Sequence, residues 1–377
     1  MKLVTLVAAT ENGSDSFFAG WSQGCSDPRR RCSFEIDASQ TITATFAPQT
    51  NNLAFVSSGS YPGNAGTASY DQACNALATA AGINNTAGNG FIAAVSGTSS
   101  FFNRMPANVR GWVRMDGLPF GDLRENMVAS LPELYYPVIF NETGNYSDTF
   151  NWTGTANDGT VAFTCNNWTS ISTDVTGSVG AAASFSEWLV SYQSYCGLEQ
   201  GGANLNGLYC LGVTKTEPLS AARRFTGKRI WLTSTPYQVG TMTPDAKCQA
   251  ERPAGITTAR AMIAYTGRPL AETLDPAASY VTPDGRLVGT GAQIASRQMM
   301  SPPWIAADGS RVSGENVWSG QLFDELPSDD FTCADWRAPT GTGMAGLSGA
   351  ADMYAYRLFV DPQTCNGVSA RLYCIEP

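Results

Sequence analysis

The segment Thr164-Cys165-Asn166-Asn167-Trp168 returns later in the chain as Thr332-Cys333-Ala334-Asp335-Trp336. A Trp-[Thr/Ser]-Gly triplet precedes each segment, beginning at Trp152 and at Trp318, and a Leu-Tyr-Cys triplet closes each framework at 208–210 and 372–374. Because the landmarks keep the same order, we interpret them as one domain present twice. The predicted copies span residues 53–213 and 228–377.

Cysteines are the main constraint on both copies. Eight of the ten divide evenly between the copies: Cys74, Cys165, Cys196 and Cys210 in the first, and Cys248, Cys333, Cys365 and Cys374 in the second. An even set at ordered spacings predicts disulfides formed in an oxidising compartment, with three possible pairings per copy. No Cys-x-x-Cys pair and no histidine occurs, so we expect no zinc site and no other bound metal.

Composition excludes several functions. The chain has 377 residues, of which 15% are charged, and a net charge of −9, which disfavours nucleic acid as a partner. No stretch is long and apolar enough to span a bilayer, and the apolar run at 1–10 predicts a strand in a segment of a longer exported protein. Without histidine there is no Ser-His-Asp or Cys-His arrangement. Acid pairs such as Asp122/Glu125 and Asp324/Glu325 are common on acidic surfaces, so we predict neither an enzyme nor a cofactor.

Residues 1–48 form a separate unit in this interpretation. The run from Phe18 to Cys25, the run from Cys32 to Ile36 and the alternating strand from Thr41 to Phe46 resemble the short β repeats of bacterial surface proteins. A Cys25–Cys32 disulfide across a hairpin loop fits the six residues between them. We interpret this unit as a spacer.

Each copy also predicts a helix and several strands. The Ala-rich run from Cys74 to Gly82 predicts a short helix with a glycine at its end, and Pro253 predicts an even shorter helix after Cys248. Strands are expected at 53–56, 91–95, 230–233 and 261–265. Between Trp152 and Cys210 we expect a strand at each end and long Gly/Ser/Thr-rich loops between them.

The second copy resembles endostatin, the C-terminal domain of certain collagens, which has a C-type-lectin-like fold. The resemblance is carried by Asn316-Val317-Trp318-Ser319-Gly320, by the Cys-x-x-Trp segment, by Thr340-Gly341-Thr342-Gly343 and by Cys374-Ile375-Glu376. The first copy is similar but ends in Cys210-Leu211-Gly212. Relatives of this kind include the endostatin-like surface proteins of leptospires, which attach to host matrix and serum proteins. The resemblance implies an α+β, β-rich fold with two such domains after the N-terminal repeat.

The same resemblance implies nested disulfides, Cys74–Cys210 around Cys165–Cys196 and Cys248–Cys374 around Cys333–Cys365. The endostatin zinc histidines, the heparin-binding arginine clusters and the calcium motifs of C-type lectins are missing here. A calcium site at Asp329 and Asp330 is the less favoured alternative to solvated carboxylates.

Two functions fit these observations. The first is an extracellular or cell-surface adhesion protein that binds a protein or glycan. The second is a structural subunit of an extracellular fibre, sheath or appendage, with neighbouring copies of itself as partners. No residue can be assigned to binding from the sequence. The segments between the second and third cysteines, 166–195 and 334–364, are the candidate recognition loops. Aromatics present in only one copy are further candidates for contacts: Phe101, Phe102, Tyr135, Tyr136 and Trp304.

The four recurring tryptophans have a different expected role. Because Trp152, Trp168, Trp318 and Trp336 occur at equivalent places, we expect them in the core.

Overall fold

The computed structural model describes residues 2–8, 14, 16–22, 31–85, 87–128, 132–199, 201–219, 224–321, 327–352, 355 and 362–377. The fold is α+β and β-rich, with 15% of residues in helices and 31% in strands. In the described part of the chain, no helix combines the length and the apolar character needed to cross a membrane.

The chain forms two compact units. The first unit comprises Met1–Ala183 and Glu187–Ala222, and the second comprises Ser184–Ser186 and Arg223–Pro377.

Four strands near the N-terminus form two small antiparallel sheets within the first unit. Strand β1 (Lys2–Val7) pairs with β3 (Arg31–Ile36), and β2 (Ser16–Trp21) pairs with β4 (Ala44–Pro48). The expected strand from Thr41 begins only at Ala44, and Phe46 is 39% exposed although it contacts the ring of Phe18. Cys32 forms a disulfide, whereas Cys25 lies outside the described residues.

A nine-stranded sheet forms the framework of the first unit. Its strands are β5 (Asn52–Val56), β6 (Tyr61–Pro62), β7 (Phe91–Ala93), β8 (Trp112–Arg114), β9 (Pro119–Gly121), β10 (Phe150–Trp152), β11 (Thr176–Ala181), β12 (Tyr192–Tyr195) and β13 (Leu205–Gly212). The helical segments are α1 (Thr67–Ala80), α2 (Phe101–Arg104), a 3-10 turn (Arg124–Met127) and α3 (Cys165–Trp168).

A seven-stranded sheet forms the framework of the second unit. Its strands are β14 (Lys228–Leu232), β15 (Arg260–Ala261), β16 (Ser279–Val281), β17 (Leu287–Thr290), β18 (Asn316–Trp318), β20 (Ala345–Leu347) and β22 (Arg371–Ile375). Strands β19 (Thr342–Gly343) and β21 (Gln363–Thr364) form a separate two-stranded sheet. The helical segments are α4 (Pro244–Ala250), a 3-10 turn (Leu270–Thr273), α5 (Gly291–Ala295) and α6 (Asp329–Trp336).

The two sheets have the same strand order. The order in the first sheet is β11-β10-β13-β5-β8-β9, with β12 added next to β11 at the end of the sheet. The order in the second sheet is β20-β18-β22-β14-β16-β17. The registers also correspond, because Cys210 is opposite Phe55 and Ala93, while Cys374 is opposite Trp231 and Ala261. The repeated sequence framework therefore folds into a repeated strand framework.

The helix before each central strand differs in length. Helix α1 has 14 residues and begins well before Cys74, with the glycine expected at its end, Gly82, in the left-handed region at φ 73°. Helix α4 has seven residues and ends at Ala250, before Pro253.

Four disulfides lie in the described residues: Cys74–Cys210, Cys165–Cys196, Cys248–Cys374 and Cys333–Cys365. They coincide with the nested pairs that the endostatin resemblance implies. In each unit the outer bridge joins the helix to the central strand, and the inner bridge joins the Cys-x-x-Trp segment to the chain that follows β12 or β21.

The recurring tryptophans lie in the core, as expected. Trp152, Trp168 and Trp318 are fully buried, and Trp336 is 1% exposed. Within each unit the two rings contact each other, with centroids 5.5 Å apart for Trp152 and Trp168 and 5.7 Å apart for Trp318 and Trp336.

Candidate functional site

The Cys-x-x-Trp segments adopt an uncommon backbone conformation. Every residue from Cys165 to Trp168 and from Cys333 to Trp336 has a positive φ, between 49° and 63°. L-residues pay about 1–2 kcal/mol each for this left-handed conformation, so four in succession do not persist without support. We call these two segments the left-handed turns.

Two tertiary contacts and one local hydrogen bond support each left-handed turn. The inner disulfide fixes its first residue, and the indole of its last residue donates to a buried carbonyl: Trp168 Nε1 to Ser96 O at 2.6 Å and Trp336 Nε1 to Ala264 O at 2.8 Å. The preceding threonine hydroxyl accepts the amide of the third residue. The Thr-Cys-x-x-Trp pattern is thus explained residue by residue.

A recurring aspartate was missed in the sequence. Asp71 Oδ1 accepts the amide of Ala93 at 2.8 Å, and Asp245 Oδ1 accepts the amide of Ala261 at 2.8 Å. Each aspartate lies three positions before the first cysteine of its framework, so the repeated Asp-x-x-Cys pattern would have revealed it. Its role is structural, because it attaches the helix to β7 or β15, the strand that pairs with the one carrying the last cysteine.

A groove of about 960 Å³ opens beside the inner disulfide of the second unit. This volume is within the range of ligand sites in proteins, roughly 300–1,000 Å³. Two stretches of chain, 236–242 and 365–369, form its walls, together with Lys247 and Pro339. We call it the disulfide groove, because Cys365 is among its lining residues.

The disulfide groove arises from a difference in loop length. Tyr61 and Tyr237 occupy equivalent positions, since their partners Asn206 and Ala370 each lie four positions before the last cysteine. From Tyr61 to the glycine that precedes the helix, Gly66, there are four residues, and from Tyr237 to its counterpart Gly240 there are two.

The longer loop covers the inner disulfide of the first unit. A Cβ on Gly63 would stand 3.0 Å from Cys165 Sγ and 3.6 Å from the Cα of Cys196, so this backbone lies directly on the bridge. The equivalent loop of the second unit is two residues shorter, and Cys365 lines the groove.

Two residues fix the shorter loop. Gly240 has φ 82°, and a Cβ there would meet Pro339 Cδ at 2.9 Å and Arg337 O at 3.2 Å, so only glycine fits this turn. Tyr237 is buried, and its hydroxyl lies 2.8 Å from Met242 O and 3.3 Å from Trp336 O. Burial raises the pKa of this phenol, so it remains a neutral donor that joins the loop to the left-handed turn.

Lys247 is the charged residue in the groove lining, and it already has partners. Its ammonium lies 2.6 Å from Glu251 Oε1 and 2.5 Å from Thr235 Oγ1. Burial raises the pKa of Glu251, but hydrogen bonds from Lys247 and Thr235 outweigh it and hold that pKa below its ordinary value. The groove is therefore close to neutral at pH 7.

The candidate recognition segments are partly internal, although Ile171, Tyr192 and Tyr195 in the first are exposed and Pro339 in the second lines the disulfide groove. The segment 166–195 contains β11 and β12, and Val179, Trp188 and Leu189 in it are buried. In 334–364, β19, β20 and β21 occur, and 353–354 and 356–361 lie outside the described residues. The expectation of long open loops between Trp152 and Cys210 was wrong, because Gly-rich strands allow close packing at Gly177 and Gly180.

The copy-specific aromatics are also mostly in the core. Phe101, Phe102 and Tyr136 are buried in the first unit, and Trp304 is buried in the second, whereas Tyr135 is half-buried. Arg114, fully buried, lies over the rings of Tyr136 and Phe140. Phe101, Tyr136 and Trp304 therefore pack in the core, whereas Phe102 also lines a surface pocket and Tyr135 keeps partial exposure.

An exposed apolar surface lies at one end of the first unit's sheet, and part of it belongs to the candidate recognition segment 166–195. Five side chains of this surface are 41–61% exposed: Ile171, Tyr192, Tyr195, Leu198 and Leu205. Tyr192 and Tyr195 lie on β12, the terminal strand of the sheet order. We call this region the β12 edge.

The described acidic candidates have different surroundings. Asp122 pairs with Arg110 and accepts the amide of Leu219, while Glu125 lines a separate pocket of about 540 Å³. Asp324 and Glu325 lie outside the described residues, and Asp330 is exposed. Among the residues described, no three His, Cys, Asp or Glu side chains are grouped as a metal site requires.

Comparison with known proteins gave no match to a family model and none to a curated protein.

Proposed function

We propose that the protein is an extracellular or cell-surface binding and adhesion protein, not an enzyme, that recognises a macromolecular partner through the disulfide groove. The two units would be endostatin-like domains of C-type-lectin-like fold, preceded by a small β repeat. The repeated strand order and the nested disulfides support this architecture. Disulfides of this number are typical of proteins in oxidising compartments.

The observation that carries the proposal is the contrast between the two inner disulfides. In the first unit the loop at Gly63 covers the inner disulfide. In the second unit, whose strands have the equivalent order, the inner disulfide lies beside a groove of about 960 Å³. A scaffold that keeps its core and varies one loop is how many proteins present binding sites.

A loop exchange tests the proposal. In one variant, residues 238–239 are replaced by the four-residue Pro-Gly-Asn-Ala segment found at 62–65, which should fill the groove. The readout is binding to an array of extracellular-matrix proteins, serum proteins and glycans, with circular dichroism to verify folding. We expect binding to be lost.

Two further variants make the test independent of the exchanged loop. Ser369→Trp places a large ring in the groove from an exposed position, and Thr258→Trp places the same ring on an exposed position outside the groove lining. The first should abolish array binding and the second should preserve it. Equal binding by both variants would refute the proposal.

The β12 edge favours the alternative function, a structural subunit of an extracellular fibre, sheath or appendage. Terminal strands with exposed apolar side chains and no charged residue are prone to pair with other chains. Tyr195→Lys should then dissolve filaments or sheets seen by electron microscopy of the purified protein. Dispersed particles of the unmodified protein would exclude this alternative.

A further inference from the structure

We infer that the disulfide groove takes an extended, uncharged polypeptide segment with aliphatic side chains. The inference rests on the proposed function and specifies the ligand of the same site.

Charge excludes ionic ligands from the groove. Of its lining residues, all of which are described, Lys247 alone carries a charge, and Glu251 neutralises it at 2.6 Å. A sulfated glycan, a phosphate or an acidic peptide would lose its hydration without gaining a free cation. A basic peptide would meet no carboxylate among the lining side chains.

The groove also lacks the platform that favours sugars. Its aromatic lining residue is Tyr237, which is 2% exposed and whose hydroxyl is engaged by Met242 O and Trp336 O. A sugar ring entering the groove therefore has no aromatic face on which to stack.

The remaining surface matches a peptide. Apolar groups line it at Pro236, Met242 and Pro339, and uncharged hydrogen-bonding groups line it at Gln238, Asn366 and Ser369. An extended peptide offers groups of both kinds, because its backbone amides form hydrogen bonds and its aliphatic side chains are apolar.

Met242 is the adaptable contact of this surface. Its side chain is 46% exposed at the groove, and methionine is flexible and polarisable enough to follow varied aliphatic shapes.

Synthetic peptide pools test the inference on the full-length protein. Pools of ten-residue linear peptides, respectively uncharged and aliphatic-rich, acidic, and basic, are titrated by fluorescence anisotropy, and a neutral-glycan array is read in parallel. We expect the uncharged pool alone to bind. Selection of the acidic pool, the basic pool or the glycans would overturn the inference.

Variants then locate the bound peptide. Ser369→Trp should raise the Kd of the selected peptides at least tenfold and Met242→Glu about tenfold, whereas Met242→Leu and Thr258→Trp should leave it within about twofold. Peptide binding that is insensitive to Ser369→Trp and Met242→Glu would also overturn the inference. Failure here with groove-dependent binding on the protein or glycan array would refute the peptide ligand and leave the proposed function standing.

Discussion

The two units share the disulfide framework around the left-handed turn and differ in the loop that crosses its inner disulfide. Both hold a left-handed turn by an inner disulfide and an indole hydrogen bond, yet in one unit Gly63 lies on the bridge and in the other Cys365 lines a groove. The strand order, the disulfides and the left-handed turns recur in both units, and the loop differs by two residues. The disulfide framework therefore specifies the scaffold, and the length of the loop specifies which surface the scaffold exposes.

Removal of a disulfide should lower the free energy of unfolding more than any other change considered, and corresponding bridges in the two units should give similar losses. The outer bridges span 136 and 126 residues and the inner ones 31 and 32. Chain entropy then predicts losses of about 5 kcal/mol for either outer bridge and about 4 kcal/mol for either inner one. Urea unfolding of the four double Cys→Ser variants measures this. Corresponding bridges that differ by more than about 2 kcal/mol would break the equivalence.

The second-largest effect should come from the indole hydrogen bonds, which differ between the two units. Trp152 Nε1 donates to Tyr61 O at 2.8 Å, whereas Trp318 Nε1 is buried without a hydrogen-bond partner in the described structure. Trp152→Phe should therefore cost about 1–3 kcal/mol more unfolding free energy than Trp318→Phe, since only the first leaves a carbonyl unpaired. Both variants lose the same ring volume, so each is the control for the other. Equal losses would show that the two indoles are held alike.

The inner disulfides should differ in reactivity. Thiol–disulfide exchange requires access of a thiolate to sulfur. Cys365 is 4% exposed at the groove, whereas Cys196 is fully buried. Under limiting dithiothreitol, Cys333–Cys365 should be reduced about tenfold faster than Cys165–Cys196. Alkylation and peptide mass mapping give both rates in one sample, and faster reduction of the first unit's bridge would contradict the account of the loop.

Glycine in the left-handed turns should have the smallest effect. Ala334 at φ 51° bears a Cβ penalty that glycine avoids, whereas its counterpart Asn166 at φ 54° tolerates this conformation better. Ala334→Gly should raise the free energy of unfolding by about 0.5–1 kcal/mol, after the entropy that glycine adds to the unfolded chain. Asn166→Gly should change it by less. Thermal melts compare the pair, and destabilisation by Ala334→Gly would mean that the turn is held without strain.

The scaffold could be predicted from the sequence because the landmark residues recur in the same order. The core tryptophans and a helix at each first cysteine could be predicted because burial and periodicity are local signals, but both helices begin before that cysteine, at Thr67 and Pro244. Strand β11 was missed because its glycines have low strand propensity, although Gly180 admits the backbone of Trp188. The left-handed turns could not be predicted from the sequence, because Ala334 and Asp335 do not by themselves indicate a positive φ.

The groove could not be read from residue types. It depends on a spacing, thirteen positions from Tyr61 to Cys74 and eleven from Tyr237 to Cys248. That difference becomes meaningful only when the two tyrosines are known to be equivalent, and the sheet register supplies this knowledge. Side chains on distant segments, such as Pro339 and Ser369, join the site through the fold alone.

The fixed points on either side of the variable loop, Tyr237 and Gly240 in one unit and Tyr61 and Gly66 in the other, have a consequence for diversification. Between such points, insertion or deletion of residues leaves the sheet register and the disulfides unaltered, and the entropy cost of a longer loop grows slowly. Insertion or deletion of whole codons in this loop can therefore change the surface that one unit exposes without replacing any residue of its framework. Because the chain carries the framework twice, the loop of one unit can change in length while the other unit stays as it is.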